Sequence, residues 1–289
     1  MRVTSLKDAE PRPRRIAVGE FDGVHLGHRE VIRGSDTVLT FEPHPLRVVR
    51  PEAAPRLLTT LEAKAELIEQ LGVEELVLIP FDDTFAHQGP QEFIDHILID
   101  RLNATRVAVG ENFRFGHRAT GDPEMLRADG RFETVVVPLV EVDGELVSSS
   151  HIRGLIAAGE VELATHFLGA PFQMRGEVVT GDRRGRHLGF PTANIVPDEA
   201  YVCPGHGVYV ARAIDACAAV NVGVRPTFGT GRAVLVEVYL LDREVDLYGH
   251  VLKVDFLRRL RGEKRFDSAD ALVEQMHDDV RRTRELCGE

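Results

Sequence analysis

Cysteine is scarce in this sequence: Cys203, Cys217 and Cys287 are three in number and widely spaced. Such spacing suggests neither a disulfide framework nor a zinc site, and a reducing cytosol is the simplest home for it. No apolar run reaches membrane-spanning length. The charged N-terminal stretch KDAEPRPRR lacks the apolar core of a signal peptide. Positive charge is in deficit, with a net charge of −11 and a pI near 5.6. A general nucleic-acid binder with a basic face is thereby excluded, whereas a nucleotide substrate, which needs only a local patch, is not. Internal repeats and low-complexity tracts are also missing. What remains is a chain of 289 residues with an ordinary apolar share of 43%, enough for one large or two modest domains.

Apolar runs at 16–21, 37–41 and 75–81 read as buried strands, as do RVAVGENF and TVVVPLV further on. Between them, TTLEAKAELIEQL (59–71) and PQEFIDHILIDRL (90–102) have helical periodicity, the first capped by Thr59 or Thr60 and the second opened by a proline. SHIRGLIAAGEVELATHFL is helical, in one or two pieces. This alternation predicts a doubly wound α/β domain with a parallel sheet. Near residue 171 the rhythm changes to short strands, at 175–181, 192–196, 207–214, 217–223, 233–242 and 250–258, separated by turn signals such as CPGHG and LYG. These predict a six-stranded antiparallel β-barrel. A C-terminal helix closes the chain, with Leu272, Met276 and Val280 on one face. The domain boundary is placed at LGAPFQM, giving 1–170 and 171–289.

The stretch VGEFDGVHLGHREVI (18–32) follows the first strand directly. Asp22 and Gly23 make a turn, and a helix starts near His25. His25 and His28 then share the first turn, and Gly27 lets an anion approach the backbone. Free N–H groups at a helix start favour phosphate. Such a site suits adenylyl transfer, where an anionic phosphate is already the nucleophile and only charge on the transferring and leaving phosphates must be stabilised. A turn carrying two histidines remains the simple alternative.

Four residues are weak evidence, but GEFDGVHLGH, TFEPHP, GENFRFG and SSSHIR occur in an order that resembles the bacterial FAD synthetases, the bifunctional riboflavin kinase/FMN adenylyltransferases. The second half is similar to their kinase module through GDRRGRHLGFPTANI, GVYV, NVGVRPTF and DLYG. The resemblance spans nearly the whole chain. It implies a nucleotidyltransferase-type α/β domain that adenylylates FMN to FAD, followed by a riboflavin-kinase barrel that phosphorylates riboflavin to FMN. Riboflavin, FMN and ATP are then the substrates and Mg²⁺ the cofactor, with no nucleic-acid or membrane partner and the oligomeric state open.

In the α/β domain the resemblance implies that His25 and His28 act on the ATP phosphates, with Phe21, Asp22, Gly23, Gly27, Ser149 and Arg153 around them. Asn112, Phe113 and Phe115 of GENFRFG are candidates for reading and stacking the flavin. One departure stands out. Only REVIRGSDTVL separates His28 from Thr40, where the family has a longer helix and loop. The first helix should therefore be short and end near Gly34.

In the barrel domain, Gly181, Gly185, Arg186, Gly189 and Pro191 are assigned to ATP. Thr192 and Asn194 alternate around Ala193, so they share one face of a short strand. Two neutral oxygens facing one way suit Mg²⁺. Glu237 interrupts the apolar run AVLVEVYLL, with Leu235 and Tyr239 on its own face and Val236 and Val238 on the other. A partly buried carboxylate needs a partner or a purpose; by resemblance it is the kinase's general base. Two alternatives stand beside this assignment. One is a riboflavin kinase alone, its adenylyltransferase weakened by the short segment. The other is a flavin-binding sensor or carrier without catalysis.

Overall fold

The structure, a computed structural model, describes residues 1–180, 189–227, 231–243 and 245–288. Contacts divide the chain into two compact units, Met1–Ser149 and Ser150–Glu289.

The first unit contains β1 (Arg2–Ser5), β2 (Arg14–Val18), α1 (Leu26–Ile32), β3 (Thr37–Glu42), α2 (Pro45–Val49), α3 (Leu61–Glu69), β4 (Glu75–Pro80), α4 (Asp83–Ala86), α5 (Pro90–Glu92), β5 (Ala104–Gly110), α6 (Pro123–Asp129), β6 (Glu133–Val137) and the small hairpin β7 (Glu141–Val142) and β8 (Glu145–Leu146). Six strands form one sheet in the order β1-β4-β3-β2-β5-β6. Every pairing in it is parallel. Parallel sheets are covered on both faces, and successive strand residues serve opposite cores. Ile16, Val18, Leu39 and Val107 pack in one cluster, and Ala17, Val38, Leu76 and Ala108 in the other.

Two local features differ from the sequence expectation. β1 was not expected, because RVTS is a short edge strand with half its residues exposed and no apolar alternation. The helix opened by Pro90 continues over Phe93–Arg101 with π-type winding, a Leu102 N–H reaching back to Ile97 O. The short first helix is as expected: α1 has seven residues, and Gly34 follows it at φ +75°.

β1 carries a buried charge cluster to the amino ends of the strands. Glu75 is 1% exposed, and Arg2, Arg12 and Arg14 each come within 3.1 Å of its carboxylate. Arg14 is itself fully buried. Burial opposes ionisation of Glu75, but the hydrogen bond from Arg14 and the three positive charges outweigh it and hold the carboxyl below its ordinary value. Removing one member of such a group strands the others. Glu75→Gln should cost about 3–5 kcal/mol, measured by urea denaturation at neutral pH. Because the folded pKa is depressed, this stability is present above the ordinary carboxylate range and is lost as pH falls through the folded value. The gap between wild type and variant should therefore close in acid, and an equal gap at all pH values would refute the ion-pair origin.

The second unit begins with α7 (Ser149–Ala158), whose first residue belongs to the first unit, and α8 (Val161–Leu168). The helices 150–168 thus group with the barrel by contact, upstream of the boundary read from the sequence. β9 (Phe172–Val179), β10 (Ala193–Ile195), β11 (Gly207–Ala213), β12 (Ala216–Thr227), β13 (Gly231–Leu240) and β14 (Val251–Arg261) close as a barrel in the order β10-β13-β12-β11-β14-β9. α9 (Ala269–Cys287) packs on β11, β12 and β14.

The barrel wall alternates cleanly. Ala218, Val220 and Val222 of β12 and Val236 and Val238 of β13 are buried, while Ala219, Asn221, Glu237 and Tyr239 lie on the outer, half-buried face. On that outer face Cys217 is bonded to Cys287 of α9, across 70 residues of sequence. Wide spacing concealed this pair, which becomes close only when α9 docks. α9 is also held by Arg261, which donates to buried Asp279 at 2.7 Å. Among the described residues, no helix is long and apolar enough to cross a membrane.

Candidate functional sites

The sheet order sends the chain one way after β2 and the other way after β5. Ligands of open α/β sheets bind at the carboxyl ends of the strands flanking such a reversal. The two motifs that end β2 and β5, GEFDGVHLGH and GENFRFG, both stand there.

The loop after β2 is tightly constrained. Phe21, Gly23 and Val24 have φ of +51°, +86° and +43°. A β-branched residue at positive φ is a backbone outlier of the kind held in place at functional sites. His25 caps α1, its Nδ1 accepting the His28 N–H at 3.2 Å. The two imidazoles stack with centroids 3.5 Å apart. Gly27 permits this, since a Cβ there would lie 3.2 Å from His25 Cε1. Phe21, 1% exposed, supports His28 edge-on at 5.4 Å. With Nδ1 engaged as an acceptor, His25 keeps Nε2 as its ring donor.

Several expected phosphate contacts have other partners here. Asp22 is buried, and its carboxylate accepts the N–H groups of Leu58 at 2.8 Å and Thr59 at 3.2 Å. It latches the loop before α3. Gly23 donates its N–H to Thr59 Oγ1 at 3.1 Å. Phe21 acts as a support for His28. Ser149 Oγ donates to Asp22 O at 3.0 Å, joining the SSSHIR segment to this loop. Arg153 belongs to the second unit, where it donates to Ser150 Oγ at 3.2 Å.

Glu20 has a function-related environment that the motif reading passed over. Its backbone carbonyl accepts Lys64 Nζ at 2.7 Å and Thr40 Oγ1 at 3.2 Å. Its carboxyl is pushed up to about 8 by burial, against the pull of Lys64 and with a push from Asp22 and Glu42. At neutral pH it is therefore an uncharged hydrogen-bond donor.

In GENFRFG, Phe115 is a correction. It is 6% exposed and packs on Phe93 at 5.4 Å, so it belongs to the core. Phe113 stacks on it at 5.6 Å with rings nearly parallel and is only partly buried, while Asn112 is exposed. Only these last two can be presented to a ligand.

The second site lies on the outer face of the barrel. Asn194 of β10 stands directly opposite Glu237 of β13, and Glu237 stands directly opposite Asn221 of β12. Three polar side chains thus form one row across three strands. Asn221 Nδ2 donates to Glu237 Oε2 at 3.1 Å. Asn194, 6% exposed, turns its amide nitrogen toward Thr192 O at 3.5 Å. Phe190 anchors this element: it is buried and meets Tyr239 at 5.4 Å and His277 of α9 at 5.0 Å. Gly189, at φ +88°, makes the turn before it, and Pro191 is exposed. Gly181, Gly185 and Arg186 lie outside the described residues. Asn221 was not singled out in the sequence, although it interrupts the apolar run AAVNVGV as Glu237 interrupts its own.

The Thr192 hydroxyl and the Asn194 amide oxygen suit a hard cation that keeps water and phosphate among its ligands. Among the described residues no cluster of three or more His, Cys, Asp or Glu is arranged to hold a metal by itself.

Comparison with known proteins matches residues 7–151 to the FAD synthetase family model and residues 168–287 to the riboflavin kinase family model. Curated relatives described as bifunctional riboflavin kinase/FMN adenylyltransferase include one from Bacillus subtilis, 36% identical over 91% of this chain and 89% of that protein. One from Escherichia coli is 36% identical over 99% and 96%, and one from Pseudomonas fluorescens 37% over 99% and 97%. Among solved structures, a Streptococcus pneumoniae protein described as a macrolide-efflux protein superimposes with a TM-score of 0.89 at 32% identity, covering 98% of this chain and 99% of that one.

Proposed function

Since the chain belongs to the family of bifunctional riboflavin kinase/FMN adenylyltransferases, we propose that the row Asn194–Glu237–Asn221 is its kinase centre and the His25–His28 stack its adenylyl-transfer centre. The chain phosphorylates riboflavin with ATP to FMN and ADP, then joins FMN to a second ATP to give FAD and pyrophosphate. In this assignment residues 1–170 serve the second step and 171–289 the first. The observation that carries it is the lateral register of Asn194 with Glu237, which sets the motif's oxygen donors beside the carboxylate.

In the kinase step Glu237 accepts the proton of the terminal ribityl hydroxyl as its oxygen bonds to the γ-phosphorus and ADP leaves. Thr192 and Asn194 would hold Mg²⁺, which supplies charge neutralisation on the ATP phosphates when bound. Gly181, Gly185, Arg186, Gly189 and Pro191 are assigned to ATP by the motif.

In the adenylyl step the FMN phosphate is already an anion, so no base is needed. His25 and His28 donate to the phosphates and stabilise charge as the α-phosphorus changes partners. Gly27 makes room for their stack, and the SSSHIR motif assigns Ser149 and Arg153 to ATP. Asn112 and Phe113 remain the flavin candidates. The short crossover leaves this arrangement whole: β2 and β3 pair in register at Ile16–Val18 and the histidine cap forms. A cytoplasmic location suits two reactions that both consume ATP.

Label transfer tests the assignment. Among the flavins, label on the γ-phosphate of ATP should enter FMN and pass on into FAD, and label on the α-phosphate should enter FAD alone. Absence of either transfer from folded protein would remove that activity.

Glu20 adds a pH dependence. Neutral below about 8, it adds a negative charge beside the polyphosphate site once ionised. The KM for ATP in FMN adenylylation should climb as pH rises through about 8, and Glu20→Gln should flatten the climb. A wild-type KM that stays level across that range would take Glu20 out of the site.

A further inference from the structure

We propose that Asn221 is a positioning residue for riboflavin phosphorylation: its amide holds one oxygen of Glu237, leaving the other to take the substrate's hydroxyl proton. The inference rests on Glu237 as the general base and extends it to a residue on a different strand.

Three observations carry it. Asn221 and Glu237 are directly opposed in the antiparallel pair β12–β13, where facing Cβ atoms lie about 4.5–5.5 Å apart. That is short enough for an Asn amide to meet a Glu carboxylate without stretching either side chain. The contact is made, Nδ2 to Oε2, at 3.1 Å. The neighbours of Asn221 on the same face are Ala219 and Gly223, so β12 presents no other polar side chain to Glu237 between them.

Asparagine is disfavoured in strand interiors, and a solvated polar residue would explain its presence only if it were exposed. It is half-buried and bonded. Glu237 has three side-chain torsions, and Asn194, its other direct neighbour, turns its amide nitrogen toward Thr192 O instead. Among the described residues, the donor that restrains the carboxylate is therefore Asn221. A restrained base is oriented before substrate arrives, so its loss should appear in turnover rather than in binding.

The test is a double-mutant cycle on the full chain, with riboflavin phosphorylation and adenylylation of supplied FMN measured separately. Asn221→Ala should lower kinase kcat by about tenfold to a hundredfold, with KM for riboflavin and ATP little changed and FMN adenylylation intact. Asn221→Asp keeps the shape but sets a carboxylate opposite Glu237, so it should fall below Asn221→Ala. In a Glu237→Gln background, Asn221→Ala should have almost no further effect on kcat. Should the alanine variant melt early, Asn221→Ser and Asn221→Asp carry the comparison. Losses that simply multiply in the double variant, a rise in KM at constant kcat, or wild-type turnover in Asn221→Asp would each overturn the inference. If Glu237→Gln itself turns over like wild type, the base assignment fails first, and the inference falls with it. If Glu237→Gln is inactive while Asn221→Ala is unimpaired, only the inference fails.

Discussion

Glu237→Gln is expected to lose riboflavin phosphorylation by about a hundredfold to ten-thousandfold, the range for removal of an acid–base group. The substitution keeps the side chain's size and an oxygen able to accept from Asn221, whose amide lies 3.1 Å from the carboxylate. It removes only the ability to take a proton. Because Glu237 sits on the half-buried outer face rather than in the barrel interior, the neutral amide should be tolerated by the fold, and the melting temperature should change little. Conversion of supplied FMN to FAD depends on the other unit and should continue at the wild-type rate. A folded variant with near wild-type kinase turnover would return Glu237 to a structural role, a strand carboxylate tied to Asn221.

His28→Ala is expected to do the opposite, lowering FAD formation by about a hundredfold to a thousandfold while FMN formation persists. The magnitude is that of losing one preorganised donor to developing charge. The structure makes this the cleaner of the two histidine tests. His25 accepts the backbone N–H of residue 28, not its side chain, so alanine at 28 leaves the α1 cap in place. His25→Ala would remove the cap as well and add a folding cost of about 1 kcal/mol. In His28→Ala the ring stacked 3.5 Å from His25 disappears, along with its edge contact to Phe21. Equal loss of both activities at unchanged thermal stability would contradict separate centres.

The fold was largely legible because its signals are local and periodic. Ile16 and Val18 alternate with Ala17 between two cores, and Val236 and Val238 alternate with Glu237 across the barrel wall, so period two announced each strand. Glu237 was legible for the same reason: a carboxylate in such a run must do something. What the sequence does not show is what a side chain meets far along the chain. Asp22, read as a phosphate contact within GEFDG, accepts the N–H groups of Leu58 and Thr59. Phe115 alternates with Phe113, yet packing against Phe93 decides that it is core. Cys217 and Cys287 are linked only through the docking of α9. Arg12 and Arg14 of the charged N-terminal stretch surround buried Glu75, a carboxylate some sixty residues away that the sequence does not link to them. Asn221 carried a signal equal in kind to that of Glu237, and only the strand register shows that the two belong together.

The central claim, two centres on one chain acting in sequence, is tested most directly by a time course of the purified protein with riboflavin, ATP and Mg²⁺, the flavins being separated at each point. The account predicts that riboflavin falls, FMN rises first and then declines, and FAD accumulates from it. FMN that accumulates with no FAD, across a range of Mg²⁺ and flavin concentrations, would contradict it.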